Sequence, residues 1–117
     1  MKLCTGLFFD GDPERFAARI LDLEAAGVDM VLIPEIYGFD QISVLGYIAA
    51  KTKRIELMTG IVNVFSRSPA LIAQSAATID ALSGGRFTLG IGTSGAQVIE
   101  GWHGVPFRRP CLLYPSA

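Results

Sequence analysis

The sequence predicts a parallel α/β fold with about four strands, and three observations carry that prediction. Apolar runs of strand length alternate with amphipathic helical stretches about every 25 to 30 residues, the period of a βαβ array. The strand runs are apolar nearly throughout, as expected where both faces of a sheet are covered. Half of the 117 residues are hydrophobic and 18% are charged, with a mean hydropathy of +0.43, so the interior is large for the surface available to cover it. Right-handed crossovers set the four strands parallel, in one open sheet or in part of a barrel. A closed (β/α)8 barrel needs about 250 residues, twice this length. A free-standing flavodoxin-like sheet is the alternative, and periodicity does not choose between them.

The first strand is predicted over residues 3–9 and is broken by Asp10, Gly11 and Asp12. Asp12 suits an N-cap and Pro13 the first helical turn, where a missing N–H costs nothing. Phe16, Ile20 and Leu23 recur at helical spacing, with Ala17 and Leu21 widening the stripe, until Gly27. Residues 29–33 form the second strand, followed by Pro34, Glu35 and a turn through Gly38. Asp40 caps a second helix bearing Ile42, Leu45 and Ala49, with Val44 and Ile48 beside them. Lys51, Lys53 and Arg54 at its end read as solvated charges suited to the helix dipole. Residues 55–64 have the β-branched density of a third strand, and Gly60 within it signals a bulge or a close backbone approach. Ser68 and Pro69 open a third helix with Ile72, Ala76, Ile79 and Leu82 in one stripe. Gly84 and Gly85 close it, and residues 87–91 make the fourth strand. No linker, repeat or charge run divides the chain.

A net charge of −1 gives no reason to expect a nucleic acid or an anionic membrane as partner. No run reaches the roughly 18 to 20 apolar residues of a membrane span, and Asp10 and Asp12 end the first apolar run short of a signal peptide. A cytoplasmic protein is expected. Cys4 and Cys111 have neither disulfide density nor metal-ligand spacing, and with His103 the only histidine, no metal site is expected.

The strand ends present residues 8–10, 34–37, 60–63 and 92–95, which a parallel sheet gathers on one rim. That rim offers one carboxylate, Glu35, one amide, Asn63, two hydroxyls, Thr93 and Ser94, and bare backbone at Gly60 and Gly95. Such a set suits holding a planar cofactor that carries its own chemistry better than hydrolysis, and it names no catalytic acid, base or nucleophile. Each residue also has a plainer reading. Glu35 caps the next helix, Gly60 is an ordinary strand-end glycine, Thr93 and Ser94 cap a helix beginning at Ala96, and His103 packs a loop. There is no G-x-S-x-G elbow, and GIGTSG, although its glycines have the G-x-G-x-x-G spacing, follows the fourth strand rather than the first and so does not open a Rossmann dinucleotide unit.

The segments FFDGDP, VLIPEIYGFD, TGIVNVFSRSPA, ATIDALSGGRFTLGIGTSG and QVIEGWHGVPF resemble the amino-terminal half of the bacterial luciferase-like superfamily. They are most similar to its coenzyme F420-dependent branch, which includes the methylenetetrahydromethanopterin reductases. The resemblance covers residues 3–110. It implies a TIM barrel that binds a flavin or deazaflavin at the carboxyl ends of its strands and passes hydride to or from the cofactor ring. By that resemblance Gly60-Ile61 falls at a bulge with a non-prolyl cis peptide behind the deazaflavin ring, and Gly60, Ile61, Val62 and Asn63 bind the cofactor. Thr93, Ser94 and Gly95 line the cofactor, and Glu35 lies where several relatives carry an Asp. Coenzyme F420 is the implied cofactor and FMN, for a monooxygenase, the alternative.

Two departures qualify this. The sugar-phosphate and alcohol dehydrogenase branches end strand two in Asp-His, the His aiding proton transfer, and here the pair is Glu35 and Ile36. An Ile transfers no proton, which favours pure hydride transfer. The family also continues into four further strands, whereas residues 111–117 read as a non-family tail. The chain thus resembles a truncated or frame-shifted product, a partial luciferase-like barrel domain over residues 1–117. Two open sheet edges and an uncovered layer of Val, Ile and Leu then predict homo-oligomerisation through the half-barrel edges. The expected function is a half-site acting on a small-molecule substrate only when complemented, or else a non-catalytic remnant that only assembles.

Overall fold

The computed structural model describes residues 1–108; the predicted tail at 111–117 lies outside them. Strand and helix alternate as β1 (Cys4–Gly6), α1 (Pro13–Ala25), β2 (Met30–Ile33), α2 (Gln41–Lys51), β3 (Glu56–Thr59), β4 (Val62–Asn63), α3 (Pro69–Ser83), β5 (Phe87–Thr88) and β6 (Ile91–Gly92). A π-helical turn, Gln97–Trp102, follows. Every strand pair is parallel, in one sheet of order β1-β2-β3-β5 and a short second pair, β4-β6. A flavodoxin-like sheet reverses its strand order beside the first strand. This order is sequential, which removes that alternative.

Local chemistry sets the boundaries. Asp12 accepts the Arg15 amide at 3.0 Å, Asp40 accepts that of Ser43 at 2.9 Å, and Ser68 accepts that of Leu71 at 3.2 Å, so each predicted N-cap is in place. Gly84 ends α3 in the left-handed conformation, with φ of 66°. The helices cover one face of the sheet. Phe16, Ala17 and Ile20 of α1, Val44, Leu45, Ile48 and Ala49 of α2, and Ile79 of α3 close on Val31, Ile33 and Leu57.

The predicted stripes need correction at their margins. Leu21 and Leu82 are exposed, and Ser83 is buried at the end of α3 instead. The first strand is ladder-paired only over Cys4–Gly6, because β1 is an edge with a single neighbour. The fourth splits into β5 and β6. The uncovered face differs as well: Val31, Ile33 and Leu57 point to the helices, so Met30, Leu32 and Met58 line the open side with Phe8.

Two charged side chains tie the pole of the sheet opposite the carboxyl ends. Arg54 donates to the Glu24 and Val28 carbonyls at the end of α1, so it is not a merely solvated charge. Glu24 accepts three successive amides, from Lys53, Arg54 and Ile55, at 3.1, 2.7 and 2.8 Å. Burial pushes the Glu24 carboxyl up, but the three amides outweigh it and hold the group below the ordinary glutamate range. A depressed folded pKa gives stability that is present above the unfolded value, about 4.3, and lost as pH falls through the folded one. Glu24→Gln is therefore expected to lower stability by about 1–2 kcal/mol at pH 7. Its denaturation midpoint, followed from pH 7 downward, is expected to converge with that of the parent in acid. Curves that stay parallel throughout would reject the role of the carboxylate charge.

Candidate functional site

The rim is shaped by one extra residue. β3 pairs with β5 as Leu57 with Phe87 and Met58 with Thr88, whereas β4 pairs with β6 as Val62 with Ile91 and Asn63 with Gly92. Residues 59–61 therefore face residues 89–90, three against two, which is a β-bulge. The Gly60–Ile61 peptide inside it is cis. Thr59, fully buried, pins the bulge to its neighbour. Its hydroxyl donates to the Gly90 carbonyl at 2.9 Å and accepts the Gly90 amide at 2.8 Å. The ladder resumes beyond, with the Val62 amide donating to Gly90 at 2.8 Å and that of Val64 to Gly92 at 3.0 Å. A Cβ on Gly60 would lie 2.1 Å from the Leu32 side chain, so this glycine answers a close approach and is no ordinary strand end.

The predicted residues divide into two groups. Gly60, Ile61, Val62 and Asn63 stand beside Gly92 through the β4-β6 pairing, and Thr93, Ser94 and Gly95 continue that strand, half-buried, with Ser94 at φ of 59°. Neither hydroxyl caps the following turn. The Gly95 carbonyl accepts both the Val98 and Ile99 amides at 3.0 Å instead, which leaves the two side chains uncommitted to a cap. Asn63 is buried, and its Oδ1 accepts the Ser66 amide at 2.8 Å. That bond fixes the amide orientation and turns Nδ2 toward His103 Nε2 at 3.4 Å.

Glu35 stands apart. Its two oxygens meet the Arg67 guanidinium at 2.9 and 3.0 Å, and Oε2 also accepts the Gln41 amide at 2.8 Å, at the first turn of α2. The geometry is that of the helix-capping reading, with both oxygens engaged. Arg67 reaches Asp40 as well. Arg67, Trp102 and His103 border a cavity of about 160 Å3 beside Glu35, with Trp102 edge-on to Tyr37 at 5.6 Å. The sequence reading passed over Arg67 and Gln41. An Arg just before a helix-opening Ser-Pro was a usable signal for the first; no pattern pointed to the second.

Chemically, the rim has small residues and backbone, two hydroxyls and no free carboxylate. Among the described residues no three His, Cys, Asp or Glu gather closely enough to hold a metal ion, and no helix is long and apolar enough to cross a membrane. Residues 6–112 match the luciferase-like monooxygenase family. The chain belongs to this family. This luciferase-like chain is 40% identical over 112 residues to the "Putative coenzyme F420-dependent oxidoreductase Rv3520c" of Mycobacterium tuberculosis, covering 94% of the chain and 32% of that protein. Among solved structures it matches the coenzyme F420 dependent tetrahydromethanopterin reductase of Methanopyrus kandleri. The TM-score is 0.81 at 32% identity, over 91% of this chain and 30% of that one. An FMN-bound Baeyer-Villiger monooxygenase component from Pseudomonas putida shares the fold alone, with a TM-score of 0.73 at 20% identity, over 87% of this chain and 32% of that one. The luciferase-like chain thus spans about a third of the length of these relatives, and its strands take the arrangement of their barrel fold.

Proposed function

We propose that this chain forms the amino-terminal part of a coenzyme F420-dependent oxidoreductase that transfers hydride between the reduced cofactor and a small organic molecule. The observation that carries the reading is the bulge at Gly60 and Ile61 set beside Gly92–Gly95, on a rim whose carboxylate, Glu35, is held by Arg67. The residues fit a planar ring. Gly60 and Gly92 present no Cβ, Ile61 and Val62 give an apolar backing, and Thr93 and Ser94 offer hydroxyls at the edge. The deazaflavin supplies the hydride chemistry when bound. The chain's own residues orient it and exclude water. Glu35, held by Arg67 and the Gln41 amide, acts as a clamp on the rim, and Ile36 beside it moves no proton.

An FMN-dependent monooxygenase is the second reading, supported by the family description and by the FMN-bound neighbour. A fluorescence titration of the purified chain with coenzyme F420, run beside one with FMN, tests both. A saturable change with F420 alone is expected, and the reverse preference selects the monooxygenase. No response to either at high micromolar cofactor leaves the third reading, a non-catalytic half-barrel that only self-associates. The open β1 edge and the exposed Leu3 and Phe8 support association with a second copy or a complementing half in every case. A monodisperse monomer on gel filtration that binds no apolar dye would reject that association. The working compartment in this reading is the cytoplasm.

A further inference from the structure

We propose that Gln41 is the positioning residue of the bulge: its side chain, on the first turn of α2, sets where the Ile61 carbonyl stands. Gln41 is 1% exposed, yet its amide serves no neighbour on its own helix. Nε2 donates across 20 residues to the Ile61 oxygen at 2.9 Å. Because that oxygen only accepts, the orientation of the amide is decided. Oε1 then points away with no hydrogen-bond partner among the described residues, and Gln41 borders a small cavity of about 40 Å3 shared with Phe8, Glu35 and Phe39.

A buried acceptor without a partner is a standing cost that a leucine of similar size would not carry. The bond to Ile61 is what a glutamine adds there. Its backbone is fixed in turn, since the Gln41 amide donates to Glu35 and Glu35 is held by Arg67. The chain of contacts runs from the end of β2, through the start of α2, to the bulge, so the second strand end sets the geometry of the third. The consequence for a bound cofactor rests on the proposed function above; the positioning of the bulge does not.

The test is amide hydrogen exchange on the full chain without cofactor, comparing the parent with Gln41→Leu and Gln41→Glu. Val62 and Val64, whose amides bond to Gly90 and Gly92, report on the bulge, and Leu57, bonded to Arg86, reports on the sheet before it. In Gln41→Leu, exchange at Val62 and Val64 is expected to rise about tenfold or more with Leu57 unchanged and the denaturation midpoint not lowered. Gln41→Glu keeps the length but not the donor and is expected to show the same local rise. Unchanged exchange at Val62 and Val64 in either folded variant overturns the proposal, as does uniform acceleration at all three amides with a lower midpoint, the mark of a general stability role. A parallel F420 titration is expected to weaken about tenfold in Gln41→Leu. A parent that does not respond to F420 refutes the proposed function and leaves the exchange result to decide this one.

Discussion

Arg86→Met is expected to lower the stability of the chain by about 3–5 kcal/mol, a large share of what a domain of this size holds. The guanidinium is half-buried where α2, β3 and the end of α3 converge. Nε donates to the Ser83 carbonyl at 2.6 Å, and Nη1 to the Ile55 carbonyl and the Thr52 hydroxyl, both at 2.9 Å. Nη2 reaches the carbonyls of Ala49 at 3.0 Å and Thr52 at 3.1 Å. Two of these acceptors, Ala49 and Thr52, belong to the last turn of α2 and its cap, which have no helical donors of their own. Methionine fills the volume and removes every donor, leaving several carbonyls short of partners at once. Arg86→Lys keeps the charge but not the planar fork, so it is expected to recover less than half of the loss. Urea midpoints for the three proteins decide the matter. A methionine variant within about 0.5 kcal/mol of the parent would show that water replaces the guanidinium at little cost.

The elements that could be read from the residues are those fixed by local chemistry. Asp12, Asp40 and Ser68 cap the predicted helices because a side-chain oxygen needs only its own next turn. Gly84 stops α3 because its backbone conformation suits a residue without a Cβ. What escaped were relations between strands. Gly60 signalled a bulge, but the count of three residues against two depends on which residue of β5 faces Leu57, and no sequence pattern states a register. For the same reason Gly90 looked like an ordinary member of a strand, and residues 87–91 read as continuous. Glu35 was legible as a carboxylate on the rim, and its engagement by Arg67 across 32 positions was not. Leu21 and Leu82 were misplaced because periodicity gives a helix face and not how far the neighbouring layer extends over it. The parallel strand ends put residues 60–63 and 92–95 on one rim, the family resemblance gave 60–63 and 93–95 a cofactor role, and the β4-β6 pairing is the physical reason they stand together.

Gly90→Ala tests that pairing where it is tightest. A Cβ there would lie 2.2 Å from the Thr59 carbonyl oxygen and 3.2 Å from the Met58 methyl. The first is a backbone atom, so relief requires β3 and β5 to part, and parting them breaks both bonds between the Thr59 hydroxyl and Gly90. The expected loss is about 3 kcal/mol or more, overpacking and two buried hydrogen bonds together. Gly46→Ala is the matched control. It adds the same methyl inside α2, where nothing lies within 4 Å, and is expected to stabilise by about 0.5–1 kcal/mol. Opposite signs for the two substitutions in one denaturation series would place the constraint at the bulge and not in glycine content. Equal small effects would mean that the two strands separate without cost, and a bulge so loosely held would be a poor wall for any planar ligand. If the folded fraction of Gly90→Ala also loses the F420 response while Gly46→Ala keeps it, the register shift between β3 and β4 is part of the binding surface itself.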